Sequence, residues 1–331
     1  MNFRTEIDAC KGKHEISYRS PVMLIGSCFA SEIGHYFTSG KMDVMINPFG
    51  VLYNPDSVAG GLELIINGRE FLEEDLHFFD NKYLSFYHGT GFSSPDKEKM
   101  LERLNIELQT ARVFLKRARF LFITFGTARV YKWKESGKSV SNCHKIPDNE
   151  FIRELLAVDH IKDSWTFLIE KLRAFNKNLQ IVFTVSPVRH WKDGAHGNQV
   201  SKSILILAID ELMKASSDLD YFPSYELLLD DLRDYRFYKT DMLHPSTDTV
   251  KYIWKKFQDT YFSVSTKRSY EEIWKIVNAC GHRLMSDNPE EIKKFCNNML
   301  NRIKTLENKY GFLSFTSEKD HFISIIDELD Q

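Results

Sequence analysis

The sequence of 331 residues lacks a long hydrophobic run. Its longest apolar stretches, Phe120–Phe125 and Ile204–Ile209, fall far short of the ~20 residues that a membrane-spanning helix needs, which excludes insertion by helices. It also lacks an excess of charge of either sign. Lys and Arg number 44 against 46 Asp and Glu, a net of −2, and the sequence pI is about 6.6. Such a chain has no basic footprint for gripping nucleic acid. Cysteine is scarce: Cys10, Cys28, Cys143, Cys280 and Cys296 are odd in number and form no Cys-x-x-Cys pair. That argues against a disulfide framework and for a reducing compartment, and Met1–Glu15 carries no apolar segment of secretory type, so a cytoplasmic location is expected. Zinc-like spacing is nearly absent, with only His190 and His196 at the loose end of the range, so no metal is expected. Gly89-Thr-Gly91 lacks both a third glycine and a strand–helix context, and no dinucleotide or other cofactor is expected.

What is present is enough to build a core, with 43% hydrophobic and 27% charged residues. Short apolar runs alternate with longer amphipathic stretches, the pattern of a parallel sheet covered by helices. Strands are expected at Val22–Gly26, Val44–Ile46, Phe120–Phe125, Gln180–Val185 and Tyr221–Tyr225, the last weakened by Pro223. Helices are expected at 31–39, 97–117, 164–176, 202–216 and 247–262. Arg129–Trp133 and Ser139–Ser141 flank a Lys-Glu-Ser-Gly-Lys turn and read as an inserted hairpin. After residue 263 the character changes to charged amphipathic helices at 270–284 and 289–310. The expected division is therefore 1–263 for an α/β domain and 264–331 for a C-terminal helical appendage. The appendage could dock a partner or a second copy of the chain, although its charged faces read more simply as solvated.

In open parallel α/β sheets, ligands bind beyond the carboxyl ends of the strands. The segments there are polar: Gly26-Ser-Cys-Phe-Ala30, Asn47-Pro-Phe-Gly50, Gly126-Thr127, Ser186-Pro-Val-Arg-His190 and Asp241-Met-Leu-His-Pro245. Asp241 and His244, three residues apart, can orient together in a turn, the imidazole as general base and the carboxylate fixing its tautomer. Ser27 and Cys28 follow a sharp glycine turn at the opening of a helix, where a nucleophile would sit on backbone amides. The helix N-terminus is expected to lower the Cys28 thiol pKa. Arg189 and His190 could bind a carboxylate or phosphate of the substrate, or Arg189 could pair with Asp230, Asp231 or Asp234. His88 is expected at the surface, and Asn142-Cys143-His144 against the inserted hairpin.

Gly-Ser-Cys-Phe-Ala at 26–30, Asn47-Pro-Phe-Gly50, Ser186-Pro-Val-Arg-His190 with Asn198 and Ser201-Lys202, and Tyr235-Arg-Phe-Tyr238 leading into Asp241-Met-Leu-His-Pro-Ser246 together resemble the GSCFA-domain family over roughly residues 1–260. That family is similar to the SGNH/GDSL hydrolases. The resemblance implies a three-layer, flavodoxin-like α/β/α sandwich and ester or acyl hydrolysis or transfer, an acetyl group on a carbohydrate or cell-wall-related molecule being one such substrate. It places Asp241 and His244 as the catalytic pair and Cys28, ahead of Ser27, in the nucleophile's position. It puts Gly50 and Asn47 at the oxyanion site. There the chain departs from the pattern, since Gly126-Thr-Ala128 has alanine where an asparagine belongs, leaving Thr127, Asn47 and Asn142 as substitutes. Losing one oxyanion donor costs about 10²–10³ in rate, so the rival expectation is a ligand-binding protein on the same scaffold.

Overall fold

Near-continuous apolar runs become strands buried on both faces, as a parallel sheet requires. The computed structural model describes residues 4–8, 10–281 and 288–330. The chain divides into two compact units: Met1–His35 with Asp43–Tyr261, and Tyr36–Met42 with Phe262–Gln331.

The first unit begins with β1 (Val22–Gly26), α1 (Cys28–Ser39), β2 (Val44–Ile46) and α2 (Pro55–Asn67), followed by a small hairpin of β3 (His77–Phe79) and β4 (Lys82–Leu84). Then come α3 (Lys97–Arg117), β5 (Phe120–Phe125), β6 (Arg129–Trp133), β7 (Ser139–Val140), β8 (Phe151–Leu155), α4 (Val158–Phe175), β9 (Gln180–Val185) and α5 (Gly194–Ala215). It closes with β10 (Asp220–Phe222), a single turn α6 (Ser224–Glu226) that runs into a π-helical segment Leu227–Leu232, and α7 (Thr247–Tyr261). Five strands form one parallel sheet in the order β10-β9-β5-β1-β2. Counting only sheet strands, that is the doubly wound order 2-1-3-4-5, whose direction reverses between β1 and β5. Alternate residues of β5 face opposite ways. Leu121, Ile123 and Phe125 join a core with α2, α3, α4 and α5, while Phe122 meets Phe257 and Tyr261 of α7. The result is an α/β/α sandwich.

Several elements start or stop away from their expected positions. Strand β10 ends at Phe222 because Pro223 has no N–H to donate to the ladder. Helix α5 starts at Gly194, eight residues before the expected Lys202, which its glycines at 194 and 197 conceal. Helix α2 is not among the expected elements, yet Asn54 caps it, Pro55 occupies its first turn, and Gly68 ends it with φ 65°. The inserted hairpin exists and gains a strand: β7 and β8 both pair antiparallel with β6.

The second unit contains α8 (Val264–Gly281), α9 (Pro289–Lys309) and α10 (Thr316–Leu329), packed on one another. Ile273, Ile276, Met299, Ile303 and Phe322 are buried there. The end of the helix expected to reach Leu284 lies outside the described residues. Among the described residues, no helix is long and apolar enough to cross a membrane.

Candidate active site

The turn after β1 requires glycine. Gly26 has φ +134°, and a Cβ there would lie 2.1 Å from the Thr124 carbonyl oxygen. Ser27 follows with 1% exposure. Its hydroxyl accepts from the Phe29 N–H at 3.3 Å, and its carbonyl accepts from Ala30 N–H at 2.9 Å. Ser27 thus caps α1 and is buried, outside the lining of the cavity that Cys28 enters. Cys28 lines a cavity of about 390 Å³. Contrary to expectation its thiol is pushed up, first by burial and then by Glu32, against the opposing pull of the helix-start amides and Lys202. A thiol protonated at neutral pH needs a base, and His244 lines the same cavity. His244 Nδ1 lies 2.7 Å from Asp241 Oδ2, and Asp241 Oδ1 accepts from the Leu243 and His244 amides at 2.8 and 3.0 Å. Those amides and the imidazole pull the Asp241 carboxyl down to about 2. With Nδ1–H donated to the carboxylate, Nε2 is the atom left to accept a proton.

The four expected oxyanion residues are largely engaged with neighbouring groups of the strand ends. Asn47 has φ 46°, and its Oδ1 accepts from Gly26 N–H at 2.8 Å while its Nδ2 donates to Ser31 Oγ at 2.8 Å. The Gly50 amide donates to Asn47 O at 2.7 Å, and the Gly126 and Thr127 amides both donate to Tyr53 O, at 2.8 and 2.9 Å. These groups lace the strand ends together. Thr127 alone of the four lines the cavity, and its hydroxyl accepts from Arg129 N–H at 3.1 Å and meets Ser201 Oγ at 3.0 Å.

A polar wall residue that sequence reasoning passed over is Asn54. Its Oδ1 accepts the Ser57 N–H at 2.8 Å as the α2 cap. That bond settles which amide atom is which and leaves Nδ2 for the cavity, whose wall Asn54 forms. Asn-Pro before a helix signals a cap, and nothing in that signal announces a second use. Asn142 also lines the cavity, with Oδ1 accepting from His144 N–H at 2.8 Å.

Lys202 was legible only as part of a motif. It is 1% exposed, and Nζ donates to the carbonyls of Gly126 at 2.7 Å and Ser186 at 2.6 Å. Burial lowers its pKa to about 7, the Cys28 thiol pulling the other way. Because α5 starts early, Asn198, Ser201 and Lys202 share one helix face against the strand ends. Asn198 Oδ1 accepts from His190 N–H at 2.9 Å, and Ser201 Oγ accepts from Ala128 N–H at 2.8 Å.

Arg189 and His190 both line the cavity, and Arg189 is in addition bonded to the turn that carries His244. Arg189 Nη1 donates to Met242 O at 3.0 Å, its guanidinium sits 4.1 Å from the Trp191 ring centroid, and its amide donates to Leu243 O at 3.1 Å. It therefore holds the Asp241–His244 turn. The three acids weighed as its partners bond elsewhere, Asp230 to Arg233, Asp231 to Arg4 and Asp234 to Arg236. Burial, Lys202 and His244 hold the His190 imidazole neutral, with its pKa down to about 4. His88 is buried, not at the surface. Its Nδ1 lies 3.0 Å from Ser85 Oγ, and burial takes it down to about 3. His144 Nε2 lies 2.9 Å from Ser85 O. Among the described residues, no group of three or more His, Cys, Asp or Glu side chains is placed to hold a metal ion.

A family model described as the GSCFA family matches residues 21–257. The chain belongs to the GSCFA family. No curated protein matches it significantly. Similar solved structures include a carbohydrate esterase family 3 protein from Talaromyces cellulolyticus, at 9% identity and TM-score 0.34, covering 72% of this chain and 95% of that one. Another is an acetyl xylan esterase, Est2A, from Butyrivibrio proteoclasticus, at 13% identity and TM-score 0.39, covering 77% of this chain and 66% of that one. The family's eponymous Gly-Ser-Cys-Phe-Ala run is the turn that carries Cys28 into the cavity.

Proposed function

We propose that this GSCFA-family chain hydrolyses or transfers an ester-linked acyl group through Cys28. The observation that carries the reading is that Cys28 and the Asp241-bound imidazole of His244 line one cavity. The Cys28 sulfur attacks the acyl carbonyl and forms a C–S bond while His244 Nε2 takes the thiol proton. The tetrahedral oxyanion is held by the Cys28 amide, which as the first amide of α1 has no intrahelical acceptor, and by Asn54 Nδ2. Collapse breaks the C–O bond, and His244 returns the proton to the departing alcohol. Water or an acceptor alcohol then attacks the thioester carbonyl with His244 taking its proton, and collapse breaks the C–S bond, releases the acid or new ester and returns the proton from His244 to the Cys28 sulfur. A small acyl group, acetyl on a carbohydrate, is the first substrate to test.

The non-catalytic binding reading draws on the committed amides of Gly50, Gly126 and Thr127. A panel of acetyl esters with peptide mapping of the acylated residue separates the two. Turnover lost in Cys28→Ala and His244→Ala, with the acyl group trapped on the Cys28 peptide, is the expected result. Full turnover in Cys28→Ala would remove the thiol mechanism.

A further inference from the structure

The inserted sheet carries cations into the cavity. Arg129, Arg153, Arg189 and Lys192 all line it, and no described carboxylate does. Three of these have internal partners. Arg153 makes a paired contact with both Asp193 oxygens, at 2.5 and 2.6 Å, Lys192 reaches Asp148 and the Tyr131 hydroxyl, and Arg189 holds the Met242 carbonyl. Arg129 is different. Its Nε, like that of Arg153, is buried without a hydrogen-bond acceptor, but its only ion pair among the described residues is a long one, 3.6 Å to Asp193 Oδ2, with a carboxylate already bonded to both Nη atoms of Arg153. Among the described residues, its guanidinium makes no hydrogen bond. The Arg129 side chain is 26% exposed, so the ends of its guanidinium fork are open to water or to a ligand in the cavity it lines.

We infer that Arg129 binds an anionic group, a carboxylate or a phosphate, on the molecule that Cys28 attacks. A guanidinium fork matches either anion with two parallel hydrogen bonds. Arg153, in turn, holds Asp193 and keeps it from neutralising Arg129 fully. As a statement about substrate the inference rests on the Cys28 reading, but its test needs no turnover.

Iodoacetate and iodoacetamide both alkylate a thiol, forming a C–S bond and releasing iodide, and differ in charge. Their rate ratio at Cys28, divided by the same ratio at exposed Cys10, reads the field and donors of the cavity. The expected preference for iodoacetate is about tenfold, the lower end of what a charged cleft gives. It should disappear in Arg129→Gln and survive in part in Arg129→Lys. Arg129→Met, which keeps the aliphatic stem, serves if the glutamine variant does not fold. Equal ratios at Cys28 and Cys10 in the wild type would overturn the inference, as would a preference unchanged in the neutral variants. Competition of iodoacetamide labelling by inorganic phosphate or by acetate, at equal ionic strength, tells which anion is preferred. If esters are not turned over but the preference stands, the hydrolase reading falls and the anion site remains.

Discussion

The two sides of the cavity treat their polar groups in opposite ways. On the sheet side, where only Thr127 of this group reaches the cavity wall, Asn47, Gly50, Gly126, Thr127 and Lys202 are bonded to groups of the strand ends behind it and leave little for a ligand. On the insert side, Arg129 lines the cavity with a guanidinium that makes no hydrogen bond among the described residues and only a long ion pair with Asp193. Satisfied groups hold a geometry, whereas unsatisfied ones wait for a partner. On the mechanism proposed above, the sheet side would position Cys28 and His244, and the insert side would select what reaches them.

The largest effect that could break this contrast is at the reacting atoms. Cys28→Ala should lower kcat/KM on the best acetyl ester by on the order of 10⁴-fold or more, with the melting temperature little changed. Next comes the pair Asn54 and Asn47. Asn54→Ala should cut kcat by about 10²–10³ with KM nearly constant. Asn47→Ala should instead cost roughly 1–3 kcal/mol of stability by orphaning the Gly26 amide, measured by urea unfolding, with kcat per folded molecule much less affected. Rates reversed between these two asparagines would undo the assignment of one to catalysis and the other to scaffold.

Lys202 sharpens the same contrast through pH. Its folded pKa of about 7 lies below the unfolded value near 10.5, so between those pH values the unfolded chain binds the extra proton. Stability from this group therefore rises with pH over about 7 to 10, and Lys202→Met should flatten that rise while lowering stability overall by leaving two carbonyls unsatisfied. The smallest effect is at His88. Its pKa falls from 6.5 to about 3, so its contribution is full above 6.5 and is lost as pH drops toward 3. His88→Phe should reduce the acid dependence of the melting temperature in that window.

Much of this was readable before any coordinates. Continuous apolar runs gave away the five strands, since a strand covered on both faces has no polar side. Gly26 before Ser27-Cys28, and Asp241 before His244, are local patterns whose geometry depends on residues a few positions apart. Helix α5 was harder, because Gly194 and Gly197 hide its first turns, and with them the shared face of Asn198, Ser201 and Lys202. The lowered Cys28 pKa expected from a helix start failed because burial and Glu32 outweigh the helix-start amides.

The sequence by itself determined where the sheet's strands lie along the chain, from their apolar runs, and, through the GSCFA resemblance, which two short motifs could do chemistry. Only the tertiary structure decided which donors remain available. Hydrogen-bond partners such as Asn47 with Gly26, Tyr53 with Thr127, and Lys202 with Gly126 lie 21 to 76 positions apart. Such partners meet only when the strand ends converge, and burial then sets whether an amide, a thiol or a guanidinium is occupied or free.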